Sequence, residues 1–304
     1  MRRALLFFLI LAAIAVVMVA LRPELALDAE FARLRWQGDA VERSVEVNGE
    51  RIVQLESGHG PTLVLLHGYT GSKENWLALM PHLNERWRVV APDLPGWGAS
   101  TRRDAADYGY VAQAERLAAW LPTLGAEPVI LVGHSMGGGI AAVLAARHPE
   151  LVSRLVLMDA GGAPFRENEF GRAVLRGENP FAVHDRSSLD RYLATVFDNP
   201  PFLPWPADRA LIARHIHDAS FETSVLDRIG RGPDAFLPSA EAQRIVMPTL
   251  LLWCAADRVI DVSAADVYRL AIAGSVVKLL DGCNHMPMME RPAETAAALE
   301  EFLQ

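Results

Sequence analysis

From about residue 44 to the C-terminus, short apolar, β-branched runs alternate with longer stretches whose apolar residues recur every three or four positions. Runs at 62–66, 87–91, 129–132, 155–158, 249–253 and 276–280 read as buried strands. Helical patterns lie between or after them, near 76–83, 111–121, 136–147, 264–271 and 293–302. Two further runs, 44–47 and 51–56, flank Asn48-Gly49, a dipeptide that favours a two-residue hairpin turn. A hairpin leading into β-α-β units predicts an α/β fold, a mostly parallel sheet with helices on both faces.

The pattern breaks at 161–245. Several short helical pieces there surround Asn199-Pro200-Pro201-Phe202-Leu203-Pro204-Trp205-Pro206, with no clear strand. An insertion between parallel strands leaves the sheet at its C-terminal edge, over the crevice where α/β proteins bind ligands. A mobile helical lid is expected, with Phe181, Phe197, Phe202, Leu203 and Trp205 lining an apolar channel under it. The same pattern also suits a small helical subdomain with ordinary core aromatics.

The N-terminus has a different character. Met1-Arg2-Arg3 precedes an unbroken apolar run from 4 to 21, closed by Arg22-Pro23. Such a run is just long enough to span a bilayer and longer than the usual core of a signal peptide. Met18-Val19-Ala20 is a poor cleavage site. Residues 1–23 therefore read as an uncleaved membrane anchor, with a cleaved signal or a soluble packing helix as alternatives. The two leading arginines place the N-terminus in the cytoplasm and the rest of the chain on the exported side. Residues 24–42 form a connector, expected to be helical. Residues 43–160 and 246–304 form the core, and 161–245 the insert.

Composition narrows the class. The 304 residues are 51% hydrophobic, enough for one large domain. A formal charge of −8 argues against nucleic acid as a partner. Two cysteines do not make a zinc site or a disulfide-dense scaffold. Cys254 and Cys283 each follow a predicted strand, so both fall at one end of the sheet. They read either as buried small hydrophobes or as a bridge between two loops.

The chemistry centres on Gly133-His134-Ser135-Met136-Gly137, set between a strand and a helix. In that context G-x-S-x-G is a nucleophile elbow, a strained turn that presents the serine hydroxyl. A serine needs a base, and His285 follows the last predicted strand in the turn-rich Asp281-Gly282-Cys283-Asn284-His285-Met286-Pro287. His67 and His134, beside motif glycines, read as loop-packing residues. The base needs a carboxylate, and Asp257 follows strand 249–253. Asp159 and Asp261 are its competitors, Asp261 reading better as a turn or cap residue. Two backbone N–H groups are needed for an oxyanion. Met136 supplies one at the start of its helix, and Tyr69 the other in the turn His67-Gly68-Tyr69.

His67-Gly68-Tyr69, Asp93-Leu94-Pro95-Gly96-Trp97-Gly98-Ala99-Ser100, the elbow, Asp257 and His285 together resemble the α/β-hydrolase superfamily from about Ser44 to the end. Asp257-Arg258-Val259-Ile260-Asp261, Met289-Glu290-Arg291-Pro292 and the N-terminal segment further resemble the membrane-anchored monoacylglycerol lipases and related bacterial lipases. Cys254 departs from the pattern, which usually has Gly after that strand. The resemblance implies a nucleophile, acid and base at Ser135, Asp257 and His285, with oxyanion donors at Tyr69 and Met136. It also implies hydrolysis of lipid or other apolar esters through an acyl-enzyme, with no metal or organic cofactor and no protein partner specified. A carbon–carbon bond hydrolase of the meta-cleavage type and a non-catalytic binding protein are the alternatives.

Overall fold

The computed structural model describes residue 7, residues 18–203 and residues 205–304. Most of the expected anchor lies outside the described residues. Among those described, no helix is long and apolar enough to cross a membrane. Helix α1 (Glu24–Gln37) accounts for most of the expected connector.

Eight strands form one sheet in the order β1-β2-β4-β3-β5-β6-β7-β8. β1 (Val41–Val47) and β2 (Glu50–Ser57) make the hairpin about Asn48-Gly49, with Val47 opposite Glu50. β2 also pairs antiparallel with β4 (Arg88–Pro92), and all later pairings are parallel. These involve β3 (Thr62–Leu66), β5 (Val129–His134), β6 (Val152–Met158), β7 (Thr249–Cys254) and β8 (Val276–Leu280).

The central strands read as continuous apolar runs because both faces are covered. Val64, Leu131, Leu157 and Trp253 point into one core, with α2 (Tyr110–Trp120), α3 (Met136–Arg147) and α8 (Ser263–Ala271). Their neighbours Leu63, Val132, Val156 and Leu252 point into the other, with α10 (Pro292–Leu303). Phe31 and Leu34 of α1 pack against this second core.

The helix expected near 76–83 is absent. Two 3-10 turns, Lys73–Trp76 and Met80–His82, stand in its place. Pro81 has no N–H to continue a helix. Trp76, Leu77, Leu79, Met80 and Leu83 are all buried, while Pro81 and His82 face solvent. Between β6 and β7 the insert carries α4 (Glu169–Leu175), α5 (Arg186–Val196), α6 (Ala207–Gly230) and α7 (Leu237–Glu241). Short α9 (Pro287–Glu290) follows the β8 loop.

Candidate active site

Ser135 sits between β5 and α3 with φ 53° and ψ −120°, a conformation that L-residues rarely adopt. The residues two places before and after it must be glycine. A Cβ on Gly133 would come 2.3 Å from the Gly137 oxygen, and one on Gly137 would come 2.5 Å from the Leu66 and His67 oxygens. The Ser135 N–H donates to the Met158 carbonyl, and its own carbonyl accepts from Gly138, Gly139 and Gly161. The strained backbone is therefore held from both sides.

The turn after β3 passes directly over the serine. A Cβ on Gly68 would lie 2.9 Å from Ser135 Cβ. His67 fixes this turn: its Nδ1–H donates to the Gly68 carbonyl at 2.8 Å and its Nε2 accepts from Leu94 N–H at 3.0 Å. Both ring nitrogens are occupied by a neutral imidazole, and burial pulls its pKa down to about 4. Asp93 of the same Asp-Leu-Pro-Gly motif is fully buried, accepting from Lys73 N and Nζ and from Ala99 N.

Asp257 and His285 follow β7 and β8, and His285 Nδ1–H donates to Asp257 Oδ2 at 2.8 Å. The other carboxylate oxygen accepts from Val259 N–H at 2.7 Å and Ile260 N–H at 3.0 Å. Burial raises the Asp257 pKa, opposed by these N–H groups, and burial pulls His285 down to about 3. The resting imidazole is thereby neutral, with Nε2 unbonded to any described residue. Ser135 and His285 line one small cavity of about 30 Å³, which Gly68 and Tyr69 also border. No hydrogen bond joins the hydroxyl to the ring in this structure.

The competing carboxylates have other partners. Asp261 accepts from the N–H and the hydroxyl of Ser263, at the start of α8. Asp159, buried at the end of β6, accepts from Cys254 N–H, and burial beside Asp257 raises its pKa. Cys254 and Cys283 are bridged, with Cα atoms 5.5 Å apart. The bond ties together the two loops that carry Asp257 and His285.

Several supports were not singled out from the sequence. His134, read as loop packing, donates from Nε2 to the His285 carbonyl at 2.6 Å. Burial holds its ring neutral. Asn284 accepts from Arg258 N–H and donates to the Thr195 carbonyl. His285 N–H donates to the Val196 carbonyl, so the end of α5 grips the histidine loop. Glu290 accepts from Asn284, Asp198 and Asn199 N–H groups. No local motif marks these contacts, because each spans the core and the insert or crosses between loops.

A cavity of about 430 Å³ opens beside the serine. Its wall is apolar, with Phe165, Phe170, Phe181, Leu226 and Ile229 among the side chains and Ser135 and Met136 at its base. Of the five expected channel residues, Phe181 alone lines it. Phe197 and Leu203 line a separate cavity of about 160 Å³ near α1. The Phe197 carbonyl instead accepts from Arg258. Phe202 and Trp205 are 86% and 55% exposed and line neither. Asn199, Pro200, Pro201 and Phe202 lie on the surface, since successive prolines cannot continue α5 or pair in a sheet.

The fold and site define a hydrolase. A family model for the α/β hydrolase fold matches residues 61–187. A crystal structure of a membrane phospholipase A, described as a bacterial virulence factor, superposes with a TM-score of 0.89 at 39% identity, covering 100% of this chain and 98% of that one. Mouse monoacylglycerol lipase ABHD6 is 28% identical over 256 residues, covering 81% of this chain and 76% of the relative. Lipase 1 of Psychrobacter immobilis is 28% identical over 261 residues, covering 84% and 81%. The chain belongs to the α/β-hydrolase family and is an ester hydrolase of the lipase type.

Proposed function

We propose that this enzyme cleaves monoacylglycerols or medium-chain acyl esters through an acyl-enzyme on Ser135. The apolar cavity that opens from Ser135 is the observation that carries this reading. Ser135 Oγ attacks the ester carbonyl and passes its proton to His285 Nε2, and Asp257 stabilises the imidazolium. The oxyanion takes hydrogen bonds from the N–H groups of Tyr69 and Met136. His285 then protonates the departing alcohol, and water, activated by the same ring, releases the acid. The insert acts as a lid over the acyl chain.

Residues 1–23 anchor the chain in a membrane, with the catalytic part on the exported side. The likeness to a membrane phospholipase A supports this placement. The Cys254–Cys283 bond does too, since disulfides persist in oxidising compartments.

Rates on p-nitrophenyl esters from C2 to C16, beside monoacylglycerols and triolein, test the proposal. Burial gains about 0.8 kcal/mol per methylene, so kcat/KM should rise up to about tenfold per two carbons until the cavity is full. Monoacylglycerols should exceed triolein, and Ser135→Ala should lose nearly all turnover. A flat profile from C2 to C12, or efficient cleavage of triolein, would overturn this pocket assignment.

A further inference from the structure

The two sides of the scissile bond open into chemically different spaces. The 430 Å³ cavity touches Ser135 and Met136 but not His285. The small cavity touches both Ser135 and His285. Because His285 must hand its proton to the leaving oxygen, the alcohol half of an ester lies on the histidine side. That small cavity shares Thr70, Gly71, Asn75, Tyr192 and Met286 with the 160 Å³ cavity, which extends under α1 to Leu27 and Phe31. One water occupies about 10–15 Å³ of such space, so the cavity has room for several waters or a small polyol.

Its wall holds a buried polar pair that the proposed reaction does not use. His215 and Glu222, on α6, are 5% and 4% exposed. His215 Nδ1 lies 3.1 Å from Glu222 Oε1 and 3.2 Å from Oε2. The Glu222 carboxylate makes no other hydrogen bond to a described residue, and His215 Nε2 makes none. A helix interior facing lipid alone would gain by apolar residues here, since burying polar side chains is costly unless their hydrogen bonds are met. The His215 ring packs edge-on to Tyr192 at 5.3 Å, and Tyr192 Oη meets Thr70 Oγ1 at 3.2 Å. The Glu222 carbonyl accepts from Tyr69 Oη at 2.6 Å, so the pair is fixed relative to the oxyanion turn.

We infer that this second cavity is a leaving-group subsite for a vicinal diol, the glyceryl half of a monoacylglycerol, with His215 Nε2 and the Glu222 carboxylate as its hydrogen-bonding groups. The inference rests on the ester-hydrolase reading. A diol suits both groups, because each hydroxyl can donate to the carboxylate and either donate to or accept from the imidazole. An aliphatic alcohol would leave the pair unpaired, and a buried unpaired polar group is costly.

The test compares 1-monodecanoylglycerol with methyl decanoate, which share one acyl chain. His215→Leu is combined with Glu222→Gln so that neither member of the pair is left without its partner. In the double variant kcat/KM for the glyceryl ester should fall at least about tenfold, while that for the methyl ester stays within about twofold. The unreactive ether 1-O-decylglycerol, as an inhibitor of methyl decanoate hydrolysis, should weaken by a similar factor. A parallel fall on both esters, or no change in either ester or inhibitor, would overturn the subsite. If the wild type cleaves neither ester, the ester-hydrolase reading fails first and the subsite with it.

Discussion

The sheet edge and the helical insert border the same apolar cavity but are held in place by different means. On the sheet edge, Ser135, Asp257 and His285 follow β5, β7 and β8, and backbone contacts set each one. The Ser135 carbonyl accepts three N–H groups, Val259 and Ile260 N–H clamp Asp257, and His134 and the Val196 carbonyl hold both ends of the His285 peptide. In the insert, side chains pack on one another. Phe181 meets Tyr69, Phe170 and Tyr192 with ring centroids 4.8–5.6 Å apart. Reacting groups need positions defined to fractions of an ångström. An acyl chain needs only apolar surface of about the right volume, which aromatic packing supplies and can vary.

The strongest way to break this contrast is to cut the covalent tie on the sheet edge. Cys254–Cys283 closes a loop of 29 residues, for which chain entropy gives about 3–4 kcal/mol. Replacing both cysteines with alanine should lower the urea-derived stability by that order. It should also reduce kcat on soluble esters, because the loops carrying Asp257 and His285 lose their brace. A cost below about 1 kcal/mol with kcat unchanged would show that backbone hydrogen bonds alone hold the catalytic loops.

A second probe is pH. His67 is buried and neutral with its pKa lowered to about 4 from 6.5. The unfolded chain therefore binds more protons than the folded one between these values, and stability falls as pH drops through that window. The His67 share is fully present above pH 6.5. By pH 4 it has lost about 3 kcal/mol. His67→Gln keeps a donor and an acceptor but cannot titrate. Urea midpoints at pH 7.5 and 4.5 should accordingly differ less in this variant than in the wild type. Equal differences would mean that the turn over Ser135 does not depend on a neutral imidazole.

The same contrast explains what was legible in the sequence. The hairpin, all eight strands, the elbow and α3 could be read because each is local. Glycines, Asn48-Gly49 and β-branched runs state a backbone geometry within a few residues. Asp257 and His285 could be placed because a strand's end fixes where the next residues emerge. The role of His134 was hidden, since its partner is 151 residues away and is a backbone carbonyl that any residue offers. The Cys254–Cys283 bond was legible only as an option, because spacing puts both at one sheet end without fixing their separation. The 73–83 segment misled periodicity: Trp76, Leu79, Met80 and Leu83 keep helical spacing, yet the chain with Pro81 in it makes only two 3-10 turns.

The insert was the least legible part, and its two surface aromatics give the subtlest test. Phe202 and Trp205 lie in a Pro-rich stretch and are mostly exposed, whereas Phe181 is buried and lines both the large apolar cavity and the small one. Phe181→Ala should lower kcat/KM for p-nitrophenyl decanoate about tenfold or more, since it removes apolar wall beside the reacting carbonyl. Phe202→Ala and Trp205→Ala should shift stability by no more than about 0.5 kcal/mol and leave the same rate within about twofold. Exposed aromatics of this kind suit a lipid surface, where the ring is buried only on contact. Both variants should therefore lose binding to vesicles of a neutral phospholipid while keeping their rate on the soluble ester. A fall in the soluble rate equal to that of Phe181→Ala would instead place these rings over the substrate, and the Pro-rich segment would belong to the pocket rather than to the surface.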